Sequence, residues 1–303
     1  MEEKIEEIKK SIKPVILLYL SVIFAFAGQF FIYLKKDVSP GLILFAAGII
    51  IFILAVKMSK KEKIIFGKSE EQQPIKTRLL LFTFVMVIAA FFRFHNLENA
   101  PIGFHRDEAK ASLDSYYIMQ DIQPINSQSR HPVYIGPLTD NPAMYNYPIA
   151  AIYKIIGVGI VESRAASSFL GLLAVASMYF LLYYLFGSAT AFAGGILFAA
   201  MKWHVTFVRI IFHSGFSIFL LILVLYFGYR IYKERTWKDF IFWGICMGLA
   251  QHTYHAARSI PFAFAAAALF LLFRDFDFYR KNWHKMIVSV LLALIFFAPL
   301  GIF

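Results

Sequence analysis

The chain has 303 residues, of which 59% are hydrophobic and 16% are charged, and its formal net charge is +11. Its mean hydropathy of +0.64 excludes a water-soluble globular protein, because several apolar runs approach the about 20 residues that a helix needs to cross a bilayer. A basic protein can bind nucleic acid, but lysine and arginine also mark the cytosolic loops of membrane proteins. We therefore expect a lipid bilayer and no nucleic acid as a partner. The single cysteine, Cys246, excludes an intrachain disulfide.

Nine apolar runs are predicted to be transmembrane helices, so we expect an all-α polytopic membrane protein. They cover residues 14–34, 41–57, 78–94, 165–186, 189–201, 216–231, 239–253, 260–273 and 285–303. Residues 143–158 are also apolar, but this run is short and contains Pro148, which favours a helix parallel to the membrane. The chain ends in an apolar run without a polar tail, which we interpret as a C-terminal truncation. Residues 1–77 are predicted to be a two-span extension with a basic loop, and residues 78–303 the core.

The distribution of lysine and arginine predicts the orientation of these helices. With a cytosolic N-terminus, the cytosolic segments carry nineteen of these residues and the short outer loops carry five. If residues 143–158 crossed the membrane, the later loops would change sides and most of this bias would be lost. We therefore predict a multi-pass integral membrane protein, in the plasma membrane, whose long loop after residue 94 faces the outside.

Polar side chains concentrate in three segments of the outer side. These are the loop that contains GFHRDEAKAS at residues 103–112, the stretch KWHVTFVRIIFH at 202–213, and HTYHAAR at 252–258. Ionisable groups at the level of a membrane usually mark a function. The three segments therefore predict a polar pocket at the outer interface.

These groups also have structural interpretations, which the sequence leaves open. Asp107 could cap a helix that begins at Glu108, and Arg209 and Arg258 could extend to lipid head groups. Because Asp107 and Glu108 are adjacent, they do not face each other on a helix and are not expected to share a proton. The two histidines of HTYHAAR have a spacing that metal ligands use, but the sequence places no third ligand with them.

Four stretches together resemble the GT-C superfamily of membrane glycosyltransferases, in particular the protein O-mannosyltransferases and the bacterial aminoarabinose transferases. They are PIGFHRDEAKAS, the run from TDNPAMYNYPIA to ESRAASSFLGLL, KWHVTFVRIIF, and GLAQHTYHAARSIP. An acidic pair in the first large outer loop, followed by later arginines, carries the resemblance. It implies membrane-parallel helices in that loop and transfer of a sugar from a polyprenyl-phosphate donor to an acceptor hydroxyl at the outer face.

The resemblance also implies roles for individual residues. Asp107 matches the family's acidic pair and is expected to be the general base, with Glu108 as the alternate. Arginine has a planar fork that fits phosphate oxygens, so the expected ligands of the donor phosphate are Arg164, Arg209 and Arg258. The expected pocket residues are His105, Asp140, His213, Tyr254 and His255. A single displacement would invert the anomeric carbon, as in inverting glycosidases.

Several alternatives remain open from the sequence. No cofactor or metal ion is required by this scheme, although a divalent metal ion is possible, and the acceptor can be a protein, a lipid or a glycan. The main alternative is a transporter or flippase of a lipid-linked or anionic solute, but transporters usually carry their charges near the membrane midplane, in repeated halves. A non-catalytic scaffold and a polymerase or ligase acting on lipid-linked glycans are further alternatives.

Overall fold

The computed structural model describes residues 38–58, 74–136 and 141–302, with short pieces between residues 16 and 28. The chain divides into two compact units, Met1–Lys68 and Ser69–Phe303. Helix α1 of the first unit covers Val38–Met58. Most of the first predicted span lies outside the described residues, and the predicted boundary after residue 77 stays a prediction.

The second unit consists almost entirely of helices, which confirms the prediction of an all-α membrane protein. The helices are α2 (Ile75–Phe94), α3 (Arg106–Met119), α4 (Asn146–Ile156), α5 (Ile160–Phe186), α6 (Ser188–Ala200), α7 (Lys202–Arg209), α8 (His213–Glu234), α9 (Trp237–Ala250), α10 (Ile260–Arg274) and α11 (Phe276–Ile302). Short 3₁₀ helices at Ala143–Tyr145 and His255–Ser259 precede α4 and α10. Within the described residues, sheet is limited to two antiparallel two-residue strands, β1 (Tyr134–Ile135) and β2 (Asn141–Pro142).

Among the described residues of the second unit, there are fewer candidate membrane spans than the seven predicted there. Five segments are long and apolar enough to cross a membrane: Ile75–Phe94, Ile160–Phe186, His213–Glu234, His255–Arg274 and Phe276–Leu300. Helices α6 and α7 form a sixth candidate, bent by 52° at their junction. The predicted spans at 189–201 and 239–253 correspond to helices of 13 and 14 residues, shorter than the about 17 residues that one straight span needs. Nine spans are therefore not confirmed.

Two helices in the loop after α2 are too short to cross a bilayer. Helix α3 has 14 residues and α4 has 11, and the two helices pack against each other. Asn146 at the start of α4 joins them, since its Nδ2 donates to the backbone oxygen of Ala111 at 3.0 Å and to Oγ of Ser115 at 3.1 Å. Their lengths agree with helices that lie along the membrane, and their orientation stays a prediction.

Helix α5 is central in the second unit, with contacts to α2, α4, α6, α7 and α8. Its buried face is rich in small side chains, including Ala166, Ser167 and Ala174. At Gly171 an added Cβ would lie 2.9 Å from a methyl carbon of Val208 on α7. These small residues allow α7 and the start of α8 to pack beside the beginning of α5.

Helix α9 packs closely against α11 through two glycines spaced four residues apart. A Cβ added to Gly248 would lie 2.6 Å from the backbone oxygen of Ala293, and one added to Gly244 would meet the backbone oxygen of Ser289. Small residues at this spacing let membrane helices bring their backbones together. The pairing of α9 with α11 therefore depends on the absence of side chains at these positions.

We expect Gly244→Val to push α9 away from α11 and to lower the free energy of unfolding by about 1–3 kcal/mol, the usual cost of overpacking. The measurement is thermal unfolding of the purified protein in detergent. Ala266→Val adds a side chain of similar size on the exposed face of α10 and serves as the control. Equal unfolding temperatures for the two variants would contradict a close contact between α9 and α11.

Candidate functional site

The acidic pair lies in the first turn of α3, and His105 is the residue that caps this helix. The Nδ1 atom of His105 accepts a hydrogen bond from the backbone N–H of Asp107 at 3.3 Å. In return, the Glu108 carboxylate accepts one from the backbone N–H of His105 at 3.3 Å, which completes a capping box. The interpretation of Asp107 as the cap of a helix beginning at Glu108 is therefore wrong, because the helix begins earlier, at Arg106.

The two carboxylates have opposite environments. The Glu108 side chain is 1% exposed and forms an ion pair with Arg164, in which Nε is 2.7 Å from Oε1 and Nη2 is 3.3 Å from Oε2. The Asp107 side chain is 61% exposed, and its carboxylate lies 3.9 Å from Nδ1 of His105. Of the pair, only Asp107 can meet a substrate without breaking a buried ion pair.

Arg164 and Arg209 use their guanidinium groups to hold the loop between α2 and α3. Arg164, which is 1% exposed, donates to the backbone oxygens of Leu97 at 2.7 Å and of Gly103. Arg209 donates to four backbone oxygens at 2.6–3.2 Å, those of Phe92, His95, Asn96 and Ala100. These contacts explain both arginines without a phosphate, and Arg164 in particular is closed off from any ligand in this structure.

Arg258 has a different environment, on the 3₁₀ helix before α10. Its Nη2 donates to the hydroxyl of Tyr134 at 3.1 Å, and its guanidinium carbon lies 6.0 Å from the centre of that ring. Its Nε is buried and has no hydrogen-bond partner within the described ranges. An unpaired buried N–H is costly, so this nitrogen is available to a ligand.

A cavity of about 770 Å³ lies beside Arg258. Its walls come from α8, α9, α10 and α11 and are almost entirely apolar, while Tyr134, Gln251 and Arg258 contribute polar groups. Its volume lies within the usual range of small-molecule sites. An apolar cavity with one cation in its wall is suited to an amphiphilic ligand that carries a negative head group.

His213, the first residue of α8, is close to the exposed carboxylate. Its ring packs against Tyr145, with 4.8 Å between the ring centres. Asp107, Lys110 and His255 all lie close enough to interact electrostatically with its imidazole. The structure therefore brings together Asp107, His213 and His255 from three separate polar segments of the sequence.

The remaining predicted pocket residues differ in position. The ring centre of Tyr254 lies 6.1 Å from that of Phe212 and 6.1 Å from that of His255, so these three rings form a small cluster. His105 is largely exposed and acts as the helix cap described above. Asp140 lies outside the described residues. Among the residues that are described, no three His, Cys, Asp or Glu side chains are arranged to hold a metal ion.

Two buried tyrosines connect the segment between α3 and α5 to the beginning of α5. The hydroxyl of Tyr145 lies 2.7 Å from Oγ of Ser167, and the hydroxyl of Tyr153 is hydrogen bonded to Ser163. Burial raises the pKa of both phenols, so they remain protonated at neutral pH. They are therefore hydrogen-bonding supports of the site rather than acid–base groups.

Three residues near the site were not among the predicted site residues. Lys110 had a sequence signal, because it follows Asp107 by three positions and so lies on the same side of α3. Tyr134 contacts Arg258 across 124 positions of the sequence, and Tyr145 contacts the distant His213. No local pattern could have identified these two tyrosines.

Comparison with known proteins identifies the family. The family model of the dolichyl-phosphate-mannose-protein mannosyltransferases matches residues 140–303, which is more than half of the chain. The chain belongs to this family. No curated protein and no solved structure matches it significantly. The segment matched by the mannosyltransferase family contains His213, His255 and Arg258, whereas Asp107 and Glu108 precede it.

Membership in the mannosyltransferase family confirms the resemblance to GT-C glycosyltransferases. The protein is a glycosyltransferase of the mannosyltransferase type, and the family's donor is a sugar on dolichyl phosphate. Together with the apolar helices, membership also confirms an integral membrane protein. Nothing in the match favours a transporter or flippase.

Proposed function

We propose that this glycosyltransferase moves a mannosyl group from dolichyl phosphate to a hydroxyl group of a protein acceptor at the outer face of the membrane, with Asp107 as the general base. The observation that carries the proposal is the contrast between the acidic neighbours. Asp107 is exposed beside a cluster of polar side chains, whereas the adjacent Glu108 is buried in an ion pair with Arg164. Glu108 and Arg164 then act as the support that positions the first turn of α3.

The proposed reaction is a single displacement. The acceptor oxygen attacks the anomeric carbon while Asp107 accepts the hydroxyl proton. The bond between the anomeric carbon and the phosphate oxygen breaks, and dolichyl phosphate leaves as an anion. Attack opposite to the leaving phosphate inverts the anomeric carbon, by analogy with inverting glycosidases.

The donor is proposed to occupy the cavity beside Arg258. The phosphate would accept a hydrogen bond from the Arg258 Nε, which has no partner among the described residues, and the isoprenoid chain would fill the apolar space. A charged hydrogen bond from arginine also stabilises the phosphate as it departs. His255 is on the same 3₁₀ helix as Arg258 and, like Asp107, interacts electrostatically with His213, which supports a sugar site between the proposed base and the proposed phosphate site.

The test is sugar transfer by the purified protein in sealed proteoliposomes, with dolichyl-phosphate mannose as the donor and a peptide containing serine and threonine as the acceptor. The peptide should be modified only when it is on the side opposite to the N-terminus. The anomeric configuration of the product, read by NMR, should be inverted. A complete lack of transfer with any dolichyl-phosphate sugar would contradict the proposed function, and retention would contradict the single displacement.

We expect Arg258→Gln to raise the KM for the donor by about 10–100-fold, because the hydrogen bond of a charged group contributes about 1.5–3 kcal/mol. The measurement is the dependence of the initial rate on donor concentration at saturating acceptor. Arg280→Gln, at an exposed arginine that pairs with Asp277 at 3.6 Å, is the control and should leave the KM unchanged. An unchanged KM in Arg258→Gln would place the donor phosphate elsewhere.

A further inference from the structure

The imidazole of His213 contains a polar atom that the protein does not satisfy. Its Nε2 is buried and has no hydrogen-bond partner among the described residues. Buried polar atoms are nearly always hydrogen bonded in folded proteins, and those that are not require an explanation. A ligand that reaches this nitrogen would supply the missing hydrogen bond.

The ring of His213 is held in a defined position. Its centre lies 4.8 Å from that of the Tyr145 ring, with the two planes tilted by 48°, and the hydroxyl of Tyr145 is hydrogen bonded to Ser167 at 2.7 Å. The ring therefore cannot turn away from its neighbours without disturbing this buried contact. A rigid imidazole is suited to the recognition of one particular ligand group.

The neighbours of His213 indicate which part of the donor would reach it. Asp107 and Lys110 interact with the imidazole from α3, and His255 interacts with it from the 3₁₀ helix that also carries Arg258. In a single displacement the sugar lies between the base and the departing phosphate. His213 thus interacts with the proposed base and with a residue of the short helix that carries the proposed phosphate ligand.

We propose that His213 determines sugar specificity by forming a hydrogen bond between its Nε2 and a hydroxyl group of the donor sugar. The inference rests on the proposed function for the positions of the base and the phosphate. A sugar hydroxyl both donates and accepts, so it can satisfy Nε2 in either tautomer of the imidazole. The anionic phosphate has a separate partner in Arg258.

The experiment measures the binding of three probes, dolichyl-phosphate mannose, dolichyl-phosphate glucose and bare dolichyl phosphate, to the full chain in detergent by native mass spectrometry. His213→Phe keeps a ring against Tyr145 and removes both ring nitrogens, while His213→Gln keeps a polar group near the original position. His284→Phe, at an exposed histidine on α11, is the matched control. Thermal unfolding confirms that each variant is folded.

We expect His213→Phe to weaken the binding of dolichyl-phosphate mannose about tenfold or more, because the sugar hydroxyl would lose its hydrogen-bond partner in the buried complex. The affinity for dolichyl phosphate should stay within about twofold, and His213→Gln should recover part of the loss. The preference for mannose over glucose on the same carrier should also fall in His213→Phe.

Two results in His213→Phe would overturn the inference alone. Equal weakening of dolichyl-phosphate mannose and dolichyl phosphate would show that His213 serves the phosphate, the lipid or the fold, and unchanged binding of both would show that it does not contact the donor. If the wild-type protein bound dolichyl phosphate but no dolichyl-phosphate sugar, the proposed function would fail together with the inference. Transfer by the wild type with unaltered sugar binding in His213→Phe would instead remove only the role of His213.

Discussion

Asp107→Asn should lower the rate of sugar transfer by about 10²–10⁴-fold, the usual contribution of a general base. The substitution keeps the size and hydrogen-bonding shape of the side chain but removes its capacity to take a proton. Because the Asp107 side chain is 61% exposed and the helix cap uses only its backbone N–H, the fold should be unaffected. The measurement is kcat for mannosyl transfer, with donor binding measured in parallel.

The matched control for this variant is Asp121→Asn. Asp121 lies just after α3, its side chain is also 61% exposed, and it forms exposed ion pairs with Arg130 at 3.3 Å and His131 at 3.4 Å. It should retain full activity. If Asp107→Asn kept at least a tenth of the wild-type rate, Asp107 would not be the base, and Glu108 would become the candidate despite its burial.

Glu108→Gln should lower the free energy of unfolding by about 3–5 kcal/mol, the usual cost of leaving one charge of a buried pair without its partner. The charge left behind is the guanidinium of Arg164, which also holds the backbone oxygens of Leu97 and Gly103. The loop between α2 and α3 should loosen as a result. Thermal and denaturant unfolding in detergent measure the loss.

Two further variants distinguish a buried pair from a general effect of charge removal. Asp277→Asn removes the carboxylate of an exposed pair with Arg280 and should change stability by less than about 1 kcal/mol. Glu108→Gln combined with Arg164→Met removes both charges of the buried pair and should regain part of the stability. Equal destabilisation by Glu108→Gln and Asp277→Asn would show that the pair of Glu108 and Arg164 is not buried in the folded protein.

The sequence alone was sufficient for the class of the protein and for many helix positions. Long apolar runs indicate membrane-spanning helices, because every backbone group in lipid must be paired within its own helix. It was less successful with spans: the predicted spans at 189–201 and 239–253 form helices of only 13 and 14 residues, and the first of them is followed by a bend of 52° and a second short helix, Lys202–Arg209. Hydropathy shows how apolar a run is, but not where its helix ends or bends.

Within the site, the sequence identified Asp107 and Glu108 as a candidate acidic pair. It could not predict which of the two carboxylates is exposed. The difference between them comes from Arg164, which is 56 positions away from Glu108 and buried with it. Three arginines were expected at the donor phosphate for their chemistry alone. Backbone oxygens also need hydrogen-bond donors. In the folded chain, the guanidinium groups of Arg164 and Arg209 donate to backbone oxygens at the end of α2 and in the loop that follows it.

By itself the amino-acid sequence determined an all-α membrane protein, its likeness to GT-C glycosyltransferases and the three segments in which polar residues concentrate. Composition and hydropathy are local properties, so these conclusions do not depend on how the helices pack. Only the tertiary structure decided that Glu108 is buried, that Asp107 is exposed near His213, and that Arg258 borders an apolar cavity. Burial and pairing arise from residues far apart in the chain, and packing alone determines which of several similar side chains remains available to a substrate.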